Sequence, residues 1–154
     1  MSRWHLANRA HVGAAAELIV AAEFALSGYR VFRPLVDDRG VDLLVDLGSG
    51  RHLLVQVKSV RGAGYVYMRK SGFSLDNYRA LALLVFPADA DHPELFLIPA
   101  SVWRNPIPPF VDRDYVEKKS DPEYGIAVNK QWRRQLAEWR VMPGERLPVT
   151  LPVE

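Results

Sequence analysis

Asp42, Gln56 and Lys58 are the residues of this chain whose types and spacing best suit chemistry. They lie in the stretch Asp37 to Lys58, which reads DDRGVDLLVDLGSGRHLLVQVK. Val41, Leu43, Val45 and Leu47 alternate with Asp42, Leu44 and Asp46. That two-residue period predicts a strand carrying both aspartates on one face. Gly48-Ser49-Gly50 supplies turn chemistry, since glycine tolerates the positive φ of a short hairpin. Leu53 to Lys58 again has strand composition, and Gln56 and Lys58 share a face as an i, i+2 pair. Folded into an antiparallel hairpin, the two strands bring Asp42 near Gln56 and Lys58. A carboxylate, an amide carbonyl and an ammonium then converge at one end, the outline of a site for metal-assisted hydrolysis.

Two helices and several strands must position that hairpin. Ala10 to Ser27 is predicted to be a helix, closed by Gly28 and apolar almost all round, hence largely buried against a sheet. Glu17 is flanked one turn away by Gly13, Ala14 and Ala21, which allow another backbone to approach closely. Tyr29 to Pro34 reads as the first strand, and Leu81 to Pro87 and Glu94 to Pro99 read as two buried strands. Ser74 caps a predicted short helix, Ser101 begins a helical turn, and Asn105 to Gly125, rich in prolines and charges, reads as an irregular surface excursion. Gln131 to Arg140 is predicted to be a second helix, with Trp132, Leu136 and Trp139 as its core stripe. The tail from Met142 to Glu154 carries three prolines and is predicted to be extended, available to pack on a partner subunit.

The pattern Asp42, turn, Gln56-Val57-Lys58-Ser59 resembles the PD-(D/E)xK nuclease superfamily in its QxK variant, as in Mrr-like restriction enzymes. Gly13-Ala14-Ala15-Ala16-Glu17 followed by Gly28-Tyr29-Arg30-Val31 is similar to the first helix and strand of archaeal-type Holliday junction resolvases. The resemblance implies a divalent-metal-dependent DNA endonuclease using Mg2+ or Mn2+. Asp42 would be the principal metal ligand, with the Gln56 side-chain oxygen, the Val57 carbonyl and Glu17 completing the protein's share. Lys58 would orient the attacking water or stabilise the phosphorane. Asp38 and Ser59 would stand in a second tier. Gln56 occupies a position where an acid is commoner, which lowers the ligand charge by one and predicts weaker metal binding. The resemblance also implies a homodimer.

Charge distribution supports a polyanion partner more than bulk charge does. The chain has 154 residues, 49% hydrophobic and 25% charged, with a net charge of only +2. Asp37 to Asp46 carries four acids and one base, whereas Arg51 to Arg79 carries six bases against Asp76 alone, a local +5. Two basic, glycine-bearing loops, Arg61 to Gly64 and Arg69 to Gly72, flank the run Tyr65-Val66-Tyr67-Met68. Arg61, Arg69 and Lys70 are therefore candidates for phosphate contacts. Other chemistries fit less well. His5, His11, His52 and His92 show no ligand spacing, no cysteine is present for thiolate zinc or a disulfide, and no phosphate-binding loop pattern occurs. No apolar run is long enough to span a bilayer, and the cysteine-free composition is compatible with the cytoplasm.

The reading is one α/β domain over 1–154, with a restriction-endonuclease-like central mixed sheet flanked by helices. Two rivals stand beside the endonuclease. One is a DNA-binding module of the same fold with lost catalysis, which Gln56 favours. The other is a structural or assembly domain, in which the basic loops do nothing.

Overall fold

The computed structural model describes residues 2–36 and 39–149. Helix α1 (Arg9–Leu26) starts where the Asn8 side chain accepts a hydrogen bond from the His11 N–H. It is followed by Gly28 at a φ of 87°. It buries one stripe at i, i+4 spacing, Val12, Ala16, Val20 and Phe24. Its other face is open, with Leu18 at 58% and Leu26 at 83% exposure, so the expectation of a helix buried almost all round is corrected. The reason is that single apolar side chains, leucine as well as alanine, are tolerated on a solvent-facing surface, so apolar composition alone overstates burial.

After α1 come β1 (Arg30–Phe32), β2 (Leu43–Gly48), β3 (Arg51–Arg61), β4 (Gly64–Arg69), β5 (Arg79–Phe86) and β6 (Glu94–Pro99). Then follow β7 (Phe110–Arg113), β8 (Glu123–Val128), the short helix α2 (Arg133–Leu136) and β9 (Arg140–Val141). A six-stranded sheet runs in the order β1-β2-β3-β5-β6-β9, and a three-stranded sheet in the order β4-β8-β7. In the larger sheet β3 and β5 are parallel and the other pairs antiparallel, so the sheet is mixed, as the α/β reading requires.

Central strand β5 is buried along its whole length and divides the core in two. Ala80, Ala82, Leu84 and Phe86 face α1 together with Val45, Val55 and Val57, while Leu81, Leu83 and Val85 face the smaller sheet through Met68, Phe110 and Ile126. The one long helix thus covers one face, while the second sheet, α2 and short 3-10 turns cover part of the other. Each fully buried aliphatic or phenyl side chain contributes roughly 1.5–3 kcal/mol, so this double burial makes β5 the axis of the fold.

Four further expectations are corrected. Residues 105–125 are not a loose excursion, because they contain β7 and lead into β8, which pairs with β4 across about sixty residues of chain. The second helix is only α2 plus one 3-10 turn, Ala137–Trp139, although Leu136 is buried and Trp139 packs edge-on against Phe110. Ser74 caps no helix, since its hydroxyl bonds the Asp76 carboxylate in a turn. The tail, as far as it is described, packs on its own chain rather than awaiting a partner. Leu147 is 1% exposed in the core beneath α1, and its N–H donates to Ser27 Oγ at 3.0 Å. Leu147→Ala is therefore predicted to cost about 2–4 kcal/mol in urea unfolding. A loss below about 0.5 kcal/mol would show the tail to be a mere appendage.

Candidate active site

The site forms where the β2–β3 ladder ends. The last antiparallel pair before the turn region of Gly40 is Leu43 with Val55, and the next main-chain bonding pair would join Val41 to Val57. That bond is not made by main chain. Asp42 turns its own N–H onto the Val55 carbonyl at 2.9 Å, and its Oδ2 accepts the Val57 N–H at 2.6 Å. A side-chain carboxylate thus replaces a backbone carbonyl, and the Asp42 side chain is fixed against β3. A strand residue points its N–H and C=O to the same side, so the Val57 carbonyl also looks out beyond the end of β2.

Gln56 and Lys58 lie on the face opposite α1, because Val55 and Val57 face the helix and strands alternate. The Gln56 Oε1 is buried and accepts no hydrogen bond among the described residues. Leaving such an acceptor unsatisfied costs about 1–3 kcal/mol. Lys58 Nζ lies 5.9 Å from the centre of the Tyr67 ring. Gly40, Gln56, Lys58, Tyr67, Arg69, Ser71 and Gly72 line a hollow of about 380 Å³. Gly40 has a φ of +64°, and an added Cβ would meet the Gly72 carbonyl oxygen at 2.8 Å, so only glycine lets the segment before Asp42 sit this close to the loop after β4.

Other candidates have different surroundings. Glu17 is on α1, across the sheet from Gln56 and Lys58, and its Oε2 pairs with Arg33 Nη2 at 2.8 Å. Ser59 lines a neighbouring cleft with Arg9, Lys58 and Arg61. Arg61 is tied to the N-terminal segment, its Nη1 donating to the Ala7 carbonyl at 2.8 Å and the Trp4 carbonyl at 3.2 Å. Lys70 turns away from the hollow onto Asp112 and onto Asp114 at 2.6 Å, with the Tyr124 ring 4.7 Å away. Burial works to lower its pKa, but the two aspartates prevail and hold the ammonium above the ordinary lysine range. Arg79, counted in the basic run, is 8% exposed; its Nη1 donates to the Gly72 carbonyl, and burial pulls its pKa down. Of the three phosphate candidates, Arg69 alone reaches the hollow, in a loose 3.5 Å pair with Asp121 in which both side chains are about two-thirds exposed. Asp38 lies outside the described residues, as does Asp37.

Tyr67, Gly40 and Gly72 were not singled out as site residues from sequence. The alternation of Tyr65, Tyr67 and Arg69 against Val66 and Met68 was the available signal for Tyr67.

Among the described residues no three His, Cys, Asp or Glu side chains gather to hold a metal ion. The oxygen set of Asp42, Gln56 and Val57 nonetheless fits a hard divalent cation, which needs few protein carboxylates and accepts amide and main-chain carbonyls. The unsatisfied Gln56 Oε1 is the observation that makes the fit specific.

No family model matches the chain, and no curated protein matches it by sequence. Solved structures do match. Hjc, a Holliday junction resolvase from the archaeal hyperthermophile Archaeoglobus fulgidus, aligns over 85% of this chain and 91% of its own, with a TM-score of 0.51 and 11% identity. The bacterial homing endonuclease I-Ssp6803I aligns over 92% of this chain and 82% of its own, with a TM-score of 0.50 and 18% identity. The fold is restriction-endonuclease-like. Among the described residues no helix of this restriction-endonuclease-like chain is long and apolar enough to cross a membrane.

The contrast between Lys70 and Arg69 yields a prediction. Lys70→Ala removes charge-assisted bonds to two neighbouring aspartates and should destabilise the fold by roughly 1–2 kcal/mol. Arg69→Ala removes a screened surface pair and should change stability by less than about 0.5 kcal/mol. Urea unfolding of both variants checks this, and equal losses would contradict the assignment of Lys70 to the fold.

Proposed function

We propose that the chain is a divalent-metal-dependent DNA endonuclease. The observation that carries this reading is a buried, unsatisfied Gln56 carbonyl oxygen on a residue that lines an open hollow with Lys58, on the strand to which the Asp42 carboxylate is bonded through the Val57 N–H. The likeness of fold to a resolvase and a homing endonuclease supports it. Asp42, Gln56 Oε1 and the Val57 carbonyl would hold Mg2+ or Mn2+, which would polarise the scissile phosphate and make a bound water more acidic. We leave Glu17 out of this set because Arg33 holds it.

In the reaction a water oxygen adds to phosphorus, one P–O ester bond breaks, and the proton ends on the leaving alcohol. Lys58 offers a compact positive charge with three donors, suited to a non-bridging phosphate oxygen whose charge grows in the transition state. Asp42 keeps the metal-binding edge in register with β3 through its bond to Val57. Arg69 offers a cation to a neighbouring phosphate.

The test is cleavage of plasmid, linear duplex, single-stranded and junction DNA in Mg2+ and Mn2+, with metal affinity measured by calorimetry. Lys58→Ala should keep the metal and lose roughly 100- to 1,000-fold in single-turnover rate, the scale for removing one transition-state donor. Asp42→Asn should lose metal affinity and cleavage together. A wild type that binds DNA but cleaves none of these, and becomes active as Gln56→Glu, would favour the binding module instead. Unchanged cleavage by Lys58→Ala would overturn the site.

A further inference from the structure

Alternation along β4 sends Val66 and Met68 into the core and Tyr65, Tyr67 and Arg69 to the outward face of the three-stranded sheet. Register places Tyr65 beside Ala127 and Tyr67 beside Gly125. The two rings therefore stand next to the smallest side chains of β8. At Gly125 an added Cβ would fall 1.9 Å from the Tyr65 hydroxyl oxygen, so the ring lies across the glycine. Its hydroxyl donates to Glu123 Oε2 at 2.6 Å, which fixes the ring. The Tyr65 and Tyr67 centroids are 6.4 Å apart with planes within 20°, and the residues are 37% and 44% exposed.

Cations stand at both ends of this pair. The Arg113 guanidinium lies 4.8 Å from the Tyr65 centroid, and the Lys58 ammonium 5.9 Å from that of Tyr67. Tyr67 also lines three adjoining hollows: the candidate active site, the cleft with Arg9 and Arg61, and the one with Arg69 and Lys119. Of the acids along the last of these, Glu123 is buried under the Tyr65 hydroxyl and Asp121 is paired with Arg69.

Exposed tyrosines on a sheet are ordinary when scattered. Here two near-parallel rings are flanked by a cation at each end, one of them the candidate catalytic lysine. The complementary chain alternates flat rings with anions, which describes single-stranded nucleic acid. In a paired duplex the base faces are already stacked on one another, so only unpaired bases can use the rings. We propose that Tyr65 and Tyr67 form a stacking platform for unpaired nucleotides, leading the strand to Lys58. The inference rests on the nuclease reading and deepens it, making the substrate DNA with a single-stranded segment beside the scissile phosphate.

The test is binding without divalent metal. A single-stranded oligonucleotide carrying 2-aminopurine and a blunt duplex of the same sequence are titrated with wild type, Tyr67→Leu and Tyr67→Phe. Wild type should quench the 2-aminopurine of the single strand. Tyr67→Leu should weaken single-strand binding by roughly 10- to 100-fold and abolish the quench, since stacking on one aromatic contributes on that scale. Tyr67→Phe should preserve both, because the ring rather than the hydroxyl stacks. The platform is overturned if wild type binds the strand without quenching, if Leu and Phe behave alike, or if Tyr67→Leu weakens duplex and single strand equally. Wild type that binds duplex here and cleaves it once Mg2+ is added, while failing these criteria, would leave the nuclease reading standing. Wild type that binds neither form would overturn both.

Discussion

At the end of β2 the ladder with β3 loses its next main-chain partner, and the Asp42 carboxylate takes that partner's place on the Val57 N–H. A charge-assisted bond of this kind contributes about 1.5–3 kcal/mol. Its greater consequence is geometric. It fixes an anionic side chain to the strand that also carries Gln56 and Lys58, and it leaves the Val57 carbonyl looking the same way. The candidate site is therefore made where a β-ladder ends, with Asp42 in the segment just before β2 and Gln56, Val57 and Lys58 on β3.

What keeps β3 in position is the double burial of its parallel neighbour β5. One face of the sheet is closed by α1 and the docked tail, the other in part by the smaller sheet. The smaller sheet covers β5 and β6 while the site hollow beside β3 stays open, rimmed by Tyr67 and Arg69 of β4. Support and access thus come from one arrangement. The loop after β4 completes it, since Arg79 holds the Gly72 carbonyl and Gly72 packs against Gly40, two residues before Asp42.

The hairpin was legible in the sequence because it depends on local information, the two-residue alternation from Val41 to Lys58 and the glycine-bearing turn. Strands β5 and β6 were legible for the same reason, as short apolar runs bounded by turn residues. The three-stranded sheet was not, because β7 and β8 sit among prolines and charges and are specified by pairing with the distant β4. The fates of the basic residues were hidden likewise. Lys70 is held by Asp112 and Asp114, and Arg61 by carbonyls of the N-terminal segment, and no spacing rule announces such partners. The approach of Asp42 to the Gln56-Val57-Lys58 end of β3 follows from register alone, whereas the pairing of Glu17 with Arg33 required the fold.

The account stands on a divalent cation being held by Asp42, Gln56 and Val57. Paramagnetic Mn2+ added in small steps to 15N-labelled protein tests this without recourse to catalysis. The account predicts that the amide signals of Asp42, Gln56, Val57 and Lys58 broaden first, and that the selectivity vanishes in Asp42→Asn while the fold persists. Broadening centred elsewhere, or unchanged by Asp42→Asn, would contradict it.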